Sequence, residues 1–209
     1  MPKPFVFSSE QALIDALSAS ATLESASKFF SARVKTIDEV VLAGVTGNTF
    51  RAFRNLPVPP SVAFRNWSIR QLEANLDRLT TIGSAGDYAA YVHEATLDLC
   101  NYWRSETGAE MGYGRGAKLF NLVLKKLACL DSIRERARLI DLQHVPWDSY
   151  TIQGLRDIAP SLQISKNATM KFVRTPDQYN DFQSVISRIT ARAGVPPIYY
   201  DILAWDMGH

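Results

Sequence analysis

Residues 112–129 read GYGRGAKLFNLVLKKLAC, a glycine-studded turn followed by a helical apolar stripe, with Lys118 where the second glycine hands over to the helix. Gly114 and Gly116 lack a Cβ, so a backbone built on them turns sharply and approaches a ligand closely. Amides that open onto a helix N-terminus point at an anion such as a phosphate, and Arg115 between the glycines adds a cation. The spacing is not that of a Walker loop, and no strand precedes it as a dinucleotide fingerprint requires. The positive end of the helix, the nearby Arg115 and any burial all work against an ammonium group at Lys118. An amine that spends time neutral is a nucleophile able to form a Schiff base with an aldehyde-like carbon. The plainer reading is a surface lysine that touches solvent or a phosphate.

A carboxylate follows in HVPWDSYTIQGL, 30 residues after Lys118. Val145-Pro146 forces an extended approach, and Asp148 then stands at the expected N-cap of a helix through Ile152 and Leu155. Capping and chemistry are compatible here. A cap fixes the carboxylate's orientation, and a fixed anion suits a cationic transition state.

These residues need elements to hold them, and the patterning is helical nearly throughout. Helical spacing predicts segments over 9–18, 23–35 and 88–103. Ser68-Ile69-Arg70-Gln71 has capping-box form and predicts a helix from there to about Leu79. Thr175-Pro176-Asp177-Gln178 predicts a helix start, with its end at Gly194. Pro196-Pro197 then introduces a last helix through Tyr199, Ile202, Leu203 and Trp205. Regularity breaks between about residues 44 and 62, where Pro57, Pro59 and Pro60 cluster, and ISKNATMKFV reads at most as a short extended piece. The expected fold class is all-α: a single helical domain over 1–209, with any division into two lobes at the 44–62 break.

Bulk composition narrows the functional classes. The chain has 209 residues, 46% hydrophobic and 21% charged, ordinary for a folded globular protein. Cys100 and Cys129 form no CxxC and sit in apolar helical surroundings, which suits buried thiols in a reducing compartment. No signal-like or membrane-spanning run is seen, so the expected location is cytoplasmic, with no membrane partner. Net charge is only +2, but it is unevenly spread. Arg51, Arg54, Arg65 and Arg70 lie in one acid-free stretch, and Arg115, Lys118, Lys125 and Lys126 in another. Both suit phosphates, or simply two solvated faces. His93, His144 and His209 are never at i,i+4 spacing, so no metal site is expected, and no cofactor. There is no GxSxG nucleophile elbow. Arg138 and His144 hint at a helical ribonuclease pattern, but Pro146 puts His144 at a helix end.

G-x-G-x-K, an apolar helix, and then V-P-x-D opening another helix together resemble the helix-hairpin-helix DNA glycosylases, most closely the lysine-using 8-oxoguanine branch. Gly114, Gly116 and Lys118 stand at the hairpin positions, and Val145, Pro146 and Asp148 at the second signature. The resemblance covers about residues 105–160. Tyr113 replaces the family's usual proline, and the segment between lysine and aspartate is longer than in eukaryotic-type members. The resemblance implies a bifunctional glycosylase and abasic-site lyase acting on duplex DNA as a monomer. Lys118 would attack C1′ of a damaged or modified nucleoside, Asp148 would assist base departure, and Gly114, Arg115 and Gly116 would hold a DNA phosphate. The extruded base needs a stacking platform, for which Trp147, Trp205 and Trp67 are the candidates. Two alternatives stay open: a non-catalytic helix-hairpin-helix DNA-binding module, and a related enzyme directed at modified bases of viral DNA.

Overall fold

The computed structural model describes residues 5–53 and 56–208, and leaves the side chains of Asn48, Arg51, Ala52 and Gly208 undescribed. Arg54, the Arg51 side chain and His209, considered above, therefore lie outside it. Within those residues the protein is all-helical, with no strand. Three short helices, α1 (Glu10–Ser18), α2 (Ser20–Ser31) and α3 (Ile37–Gly44), lead to two long ones, α4 (Pro60–Thr81) and α5 (Ala85–Thr107). Then come α6 (Tyr113–Leu127), α7 (Arg136–Leu142), α8 (Ser149–Gly154), α9 (Pro176–Ala193) and α10 (Tyr199–Gly208).

Local chemistry accounts for most of the boundaries. Ser9, Thr36, Ser84 and Thr175 cap α1, α3, α5 and α9 with side-chain oxygens. Gly108 and Gly194 end α5 and α9 in the left-handed conformation that glycine adopts without penalty. The helix expected to open at Ser68 begins at Pro60 instead. Proline at the first helical position carries its preset φ and lacks an amide that would have gone unbonded anyway. Ala63, Phe64, Trp67, Leu72 and Leu79 then bury one continuous stripe, which leaves Ser68 in the helix interior, fully buried. The 44–62 break contains a 3-10 turn, Gly47–Phe53. One contiguous hydrophobic core runs across it, from Phe5 and Leu13 through Phe64 and Trp103 to Ile198 and Tyr200. The ISKNATMKFV segment is turns and coil, with no strand.

Helix α6 is the axis of this core and packs against both α3 and α5. Leu119, Phe120, Val123, Leu124 and Leu127 are all at most 2% exposed. Burial of such side chains contributes roughly 1.5–3 kcal/mol each, against about 1 kcal/mol for each helical glycine. Packing wins, and α6 extends back over both glycines of the expected turn.

Candidate functional site

The glycine turn is therefore placed differently from the expectation. Gly112, at φ 80° and ψ 140°, makes the turn, while Gly114 and Gly116 are helical. Their missing Cβ atoms serve internal packing. A Cβ on Gly114 would collide with the carbonyl of Val173, and one on Gly116 would stand 3.2 Å from the Cys100 sulfur and 3.3 Å from that of Met111. Arg115 donates to the Glu110 carbonyl at 3.0 Å and lies 5.0 Å from the Phe53 ring centroid, so its guanidinium closes the loop before α6. Burial lowers the Arg115 pKa below its ordinary value. Lys118 is the sixth residue of α6 and not in its first turn. The end-charge of a helix fades within that turn, so the dipole cannot be what singles this lysine out.

A carboxylate singles it out. Lys118 Nζ stands 3.6 Å from Asp148 Oδ2, with the two side chains 12% and 25% exposed. Asp148 is the N-cap of α8, as its sequence context predicts. Its Oδ1 accepts from the amides of Tyr150 at 2.8 Å and Thr151 at 3.0 Å, and the Thr151 hydroxyl accepts in return from the Asp148 amide at 2.8 Å. One oxygen is fixed by the cap, and the other is turned to the lysine.

The approach to Asp148 is braced from both sides. Gln183 of α9 clamps Val145 in both directions, accepting from its amide at 3.1 Å and donating to its carbonyl at 2.9 Å. Gln143 donates to the Leu124 carbonyl at 2.7 Å, tying the segment to α6. Trp147 is 1% exposed and packs edge-on against Phe182. Beside it, Tyr179 Oη accepts from Asn121 at 2.8 Å and shares a hydrogen bond with His144 Nδ1 at 2.9 Å. Burial pushes the His144 pKa down to about 4, which keeps the ring neutral at neutral pH. Arg138 instead bonds the Thr80 carbonyl, so the ribonuclease pairing with His144 does not form.

Of the three aromatic candidates, Trp205 lines a cavity and the other two are packed in the core. Trp67 is 3% exposed, donates to Asp98 at 2.7 Å and packs edge-on with Phe120. Trp147 is equally enclosed, so the faces of both rings are occupied by core neighbours. Trp205, on α10, is 51% exposed. It forms a wall of a cavity of about 560 Å³ whose other surfaces include Phe29, Gly44, Leu122, Lys125 and Lys126. A smaller cleft of about 80 Å³ joins Trp205 to Asp148 and Asp201. Lys118, Leu122 and Lys125 follow one another at helical spacing along one face of α6, so a single stripe runs from the Lys118–Asp148 pair into the large cavity.

Lys125, which the sequence offers only as one cation of a basic stretch, pairs with Asp201. Their side chains are 9% and 2% exposed and meet at 2.5 Å between Nζ and Oδ2. Burial pushes the Asp201 carboxyl above its ordinary value, and the Lys125 ammonium pulls it back. The Lys125 ammonium also lies 4.8 Å from the Phe29 ring centroid. Partners 76 positions apart leave no local signature; only the apolar setting of Asp201 in PPIYYDILAW hinted at a paired charge.

Cys100 and Cys129 are free thiols. Among the described residues no cluster of metal-ligating side chains occurs, and no helix is long and apolar enough to cross a membrane. Compared with known protein families, curated proteins and solved structures, the chain matches none of them.

Proposed function

We propose that the protein is a DNA glycosylase with abasic-site lyase activity, acting as a monomer on a damaged or modified base, with Lys118 as nucleophile and Asp148 as its carboxylate partner. The observation that carries this reading is the Lys118–Asp148 approach at 3.6 Å, with only one carboxylate oxygen committed to the cap. That separation is longer than an ordinary hydrogen bond, which leaves the lysine near a proton acceptor without locking it to one.

In the proposed reaction Asp148 takes a proton from the Lys118 ammonium. The freed amine attacks C1′, the glycosidic bond breaks, and the base departs with the bonding electrons and the proton that Asp148 had taken. The sugar ring opens to an imine on Lys118, and loss of a proton from C2′ expels the 3′ phosphate. Ionised again once its proton has left with the base, Asp148 faces the positive charge shared by C1′ and the imine nitrogen, where a fixed anion stabilises best. The departing base belongs in the cavity walled by Trp205, which supplies the stacking surface, and by Lys125, whose ammonium is oriented by Asp201. No external oxidant or metal enters these steps.

The test is borohydride trapping on labelled duplex DNA carrying either an abasic site or 8-oxoguanine. Wild type is expected to form a covalent adduct with abasic DNA, and Lys118→Gln to lower its yield by about a thousandfold or more. Trp205→Ala is expected to keep the adduct on a preformed abasic site while losing release of the base. Salt-sensitive DNA binding with no adduct would point to a binding module, and an adduct that survives Lys118→Gln would remove the lysine from the chemistry.

A further inference from the structure

The hollow at Asp148 continues past it. Ser149 and Tyr150 line both the small cleft and a neighbouring groove of about 520 Å³, as Trp205 joins that cleft to the large cavity on its other side. Three hollows thus run in series, with Asp148 at the middle one.

The far wall of the groove is the loop after α8, where Lys166, Asn167 and Thr169 face Ser149 and Tyr150. The sequence from Ile158 to Pro176 contains Lys166, Lys171 and Arg174 and no acid. All three cations are exposed, and among the described residues none has a carboxylate within 4.0 Å. Asp157, the acid just before this stretch, is held by the guanidinium of Arg156 at 2.9 and 3.2 Å.

The loop is also fixed in place. Gln153 of α8 donates to the carbonyls of Ser165 at 2.9 Å and Ala168 at 3.3 Å. Phe172 packs edge-on against Phe182, and the Arg174 amide donates to Gln178 at 2.9 Å. The carbonyls of Met170 and Val173 lie against Gly114, which seats the loop on the first turn of α6. Three like charges on an anchored loop repel one another and attract an outside anion, with Lys166 also acting at longer range on Asp157.

We infer that this loop is a contact surface for the sugar-phosphate backbone of the DNA strand that flanks the reacting nucleotide, with Lys166, Lys171 and Arg174 as the phosphate contacts. The inference rests on the reading of Lys118 and Asp148 as the reacting pair. It assigns the role expected of Arg115 and the two glycines to a different segment, one that carries three unbridged cations and borders the groove next to the Asp148 cleft.

The test measures binding of a fluorescein-labelled duplex with a tetrahydrofuran abasic analogue by anisotropy across a salt series. Lys166→Ala/Lys171→Ala/Arg174→Ala is expected to flatten the slope of log affinity against log salt by about 2 to 3, since each lost phosphate contact removes about 0.9. Its trapping rate on abasic DNA at saturating concentration and low salt should stay at the wild-type value, as should its unfolding temperature. Lys171→Glu alone, at an exposed position, should give a change in the same direction. Arg70→Ala, which removes a cation that lies 4.8 Å from the Tyr102 ring centroid, serves as the control. An unchanged slope with trapping intact overturns the loop surface and spares the lysine chemistry, as does an equal loss in Arg70→Ala. A flattened slope in a protein whose wild type forms no adduct upholds the surface and overturns the chemistry, and absence of DNA binding by wild type overturns both.

Discussion

Lys118 and Lys125 stand seven residues apart on one face of α6, about 10 Å along its axis, and each looks at an aspartate from a distant part of the chain. The Lys125–Asp201 pair is dry and closed at 2.5 Å, whereas Lys118 and Asp148 stay 3.6 Å apart with both groups partly open to solvent. Taking two charges out of water is costly, and only tight geometry repays it, so the inner pair can do little but stay together. In the outer pair the aspartate's second oxygen holds a helix cap, which keeps the carboxylate still without spending its other oxygen on the lysine. The same two residue types give a closed, buried strut in one place and an open, partly exposed pair in the other. Burial and the division of the carboxylate's oxygens make the difference.

Breaking the inner pair should have the largest effect on stability. Asp201→Asn leaves a buried ammonium without its counter-charge and should cost about 3–5 kcal/mol in urea unfolding. Lys125→Met/Asp201→Leu removes both charges and should recover most of that loss. If Asp201→Asn proves nearly neutral, the contrast between the two pairs collapses.

Acid should separate the two regions next. His144, just upstream of Asp148, is held neutral by burial, with its pKa lowered from 6.5 to about 4. Above pH 6.5 neither folded nor unfolded chain protonates this group, and its contribution to stability is fully present. As pH falls from 6.5 towards 4 the unfolded chain takes up a proton that the folded chain refuses, and roughly 3 kcal/mol is lost at about 1.4 kcal/mol per unit. His144→Gln keeps a hydrogen-bonding partner for Tyr179 in either direction and has no such titration. The stability difference between wild type and this variant should therefore shrink steadily over that window, and parallel pH profiles would exclude the assignment.

The smallest effect sharpens the comparison at Asp148 itself. Asp148→Ala should lose about 1 kcal/mol of stability with the cap, while Asp148→Asn keeps a capping oxygen and should lose only a few tenths. Base release, measured in single turnover, should fall by about a hundredfold or more in both. Slow chemistry in a variant of nearly normal stability is what distinguishes the outer carboxylate from Asp201.

Sequence was most informative where the physics is local. The caps at Ser9, Thr175 and Asp148, the glycine end at Gly194 and the helical stripes all follow from neighbours within a few positions. Ser68 misled because a capping-box pattern also occurs inside a helix, and the two prolines upstream had the stronger claim on the start. The glycines misled for a related reason: Gly114 and Gly116 record how closely Val173, Cys100 and Met111 approach, and those partners lie elsewhere in the chain. Trp67 and Trp147 could not be told from Trp205 by type, since burial is decided by the whole fold. The Gln183 clamp and the Lys125–Asp201 pair span 38 and 76 positions and were beyond reach for the same reason.

The placing of the tryptophans has an optical consequence. The protein has four, of which Trp67, Trp103 and Trp147 are at most 3% exposed while Trp205 is half in solvent. Indole emission shifts to longer wavelength in a polar, mobile environment, and collisional quenchers reach only rings that solvent reaches. Red-edge, quencher-accessible fluorescence of the unlabelled protein is thus the signal of one side chain on the cavity wall, and a guest laid against it has a spectroscopic witness already in place.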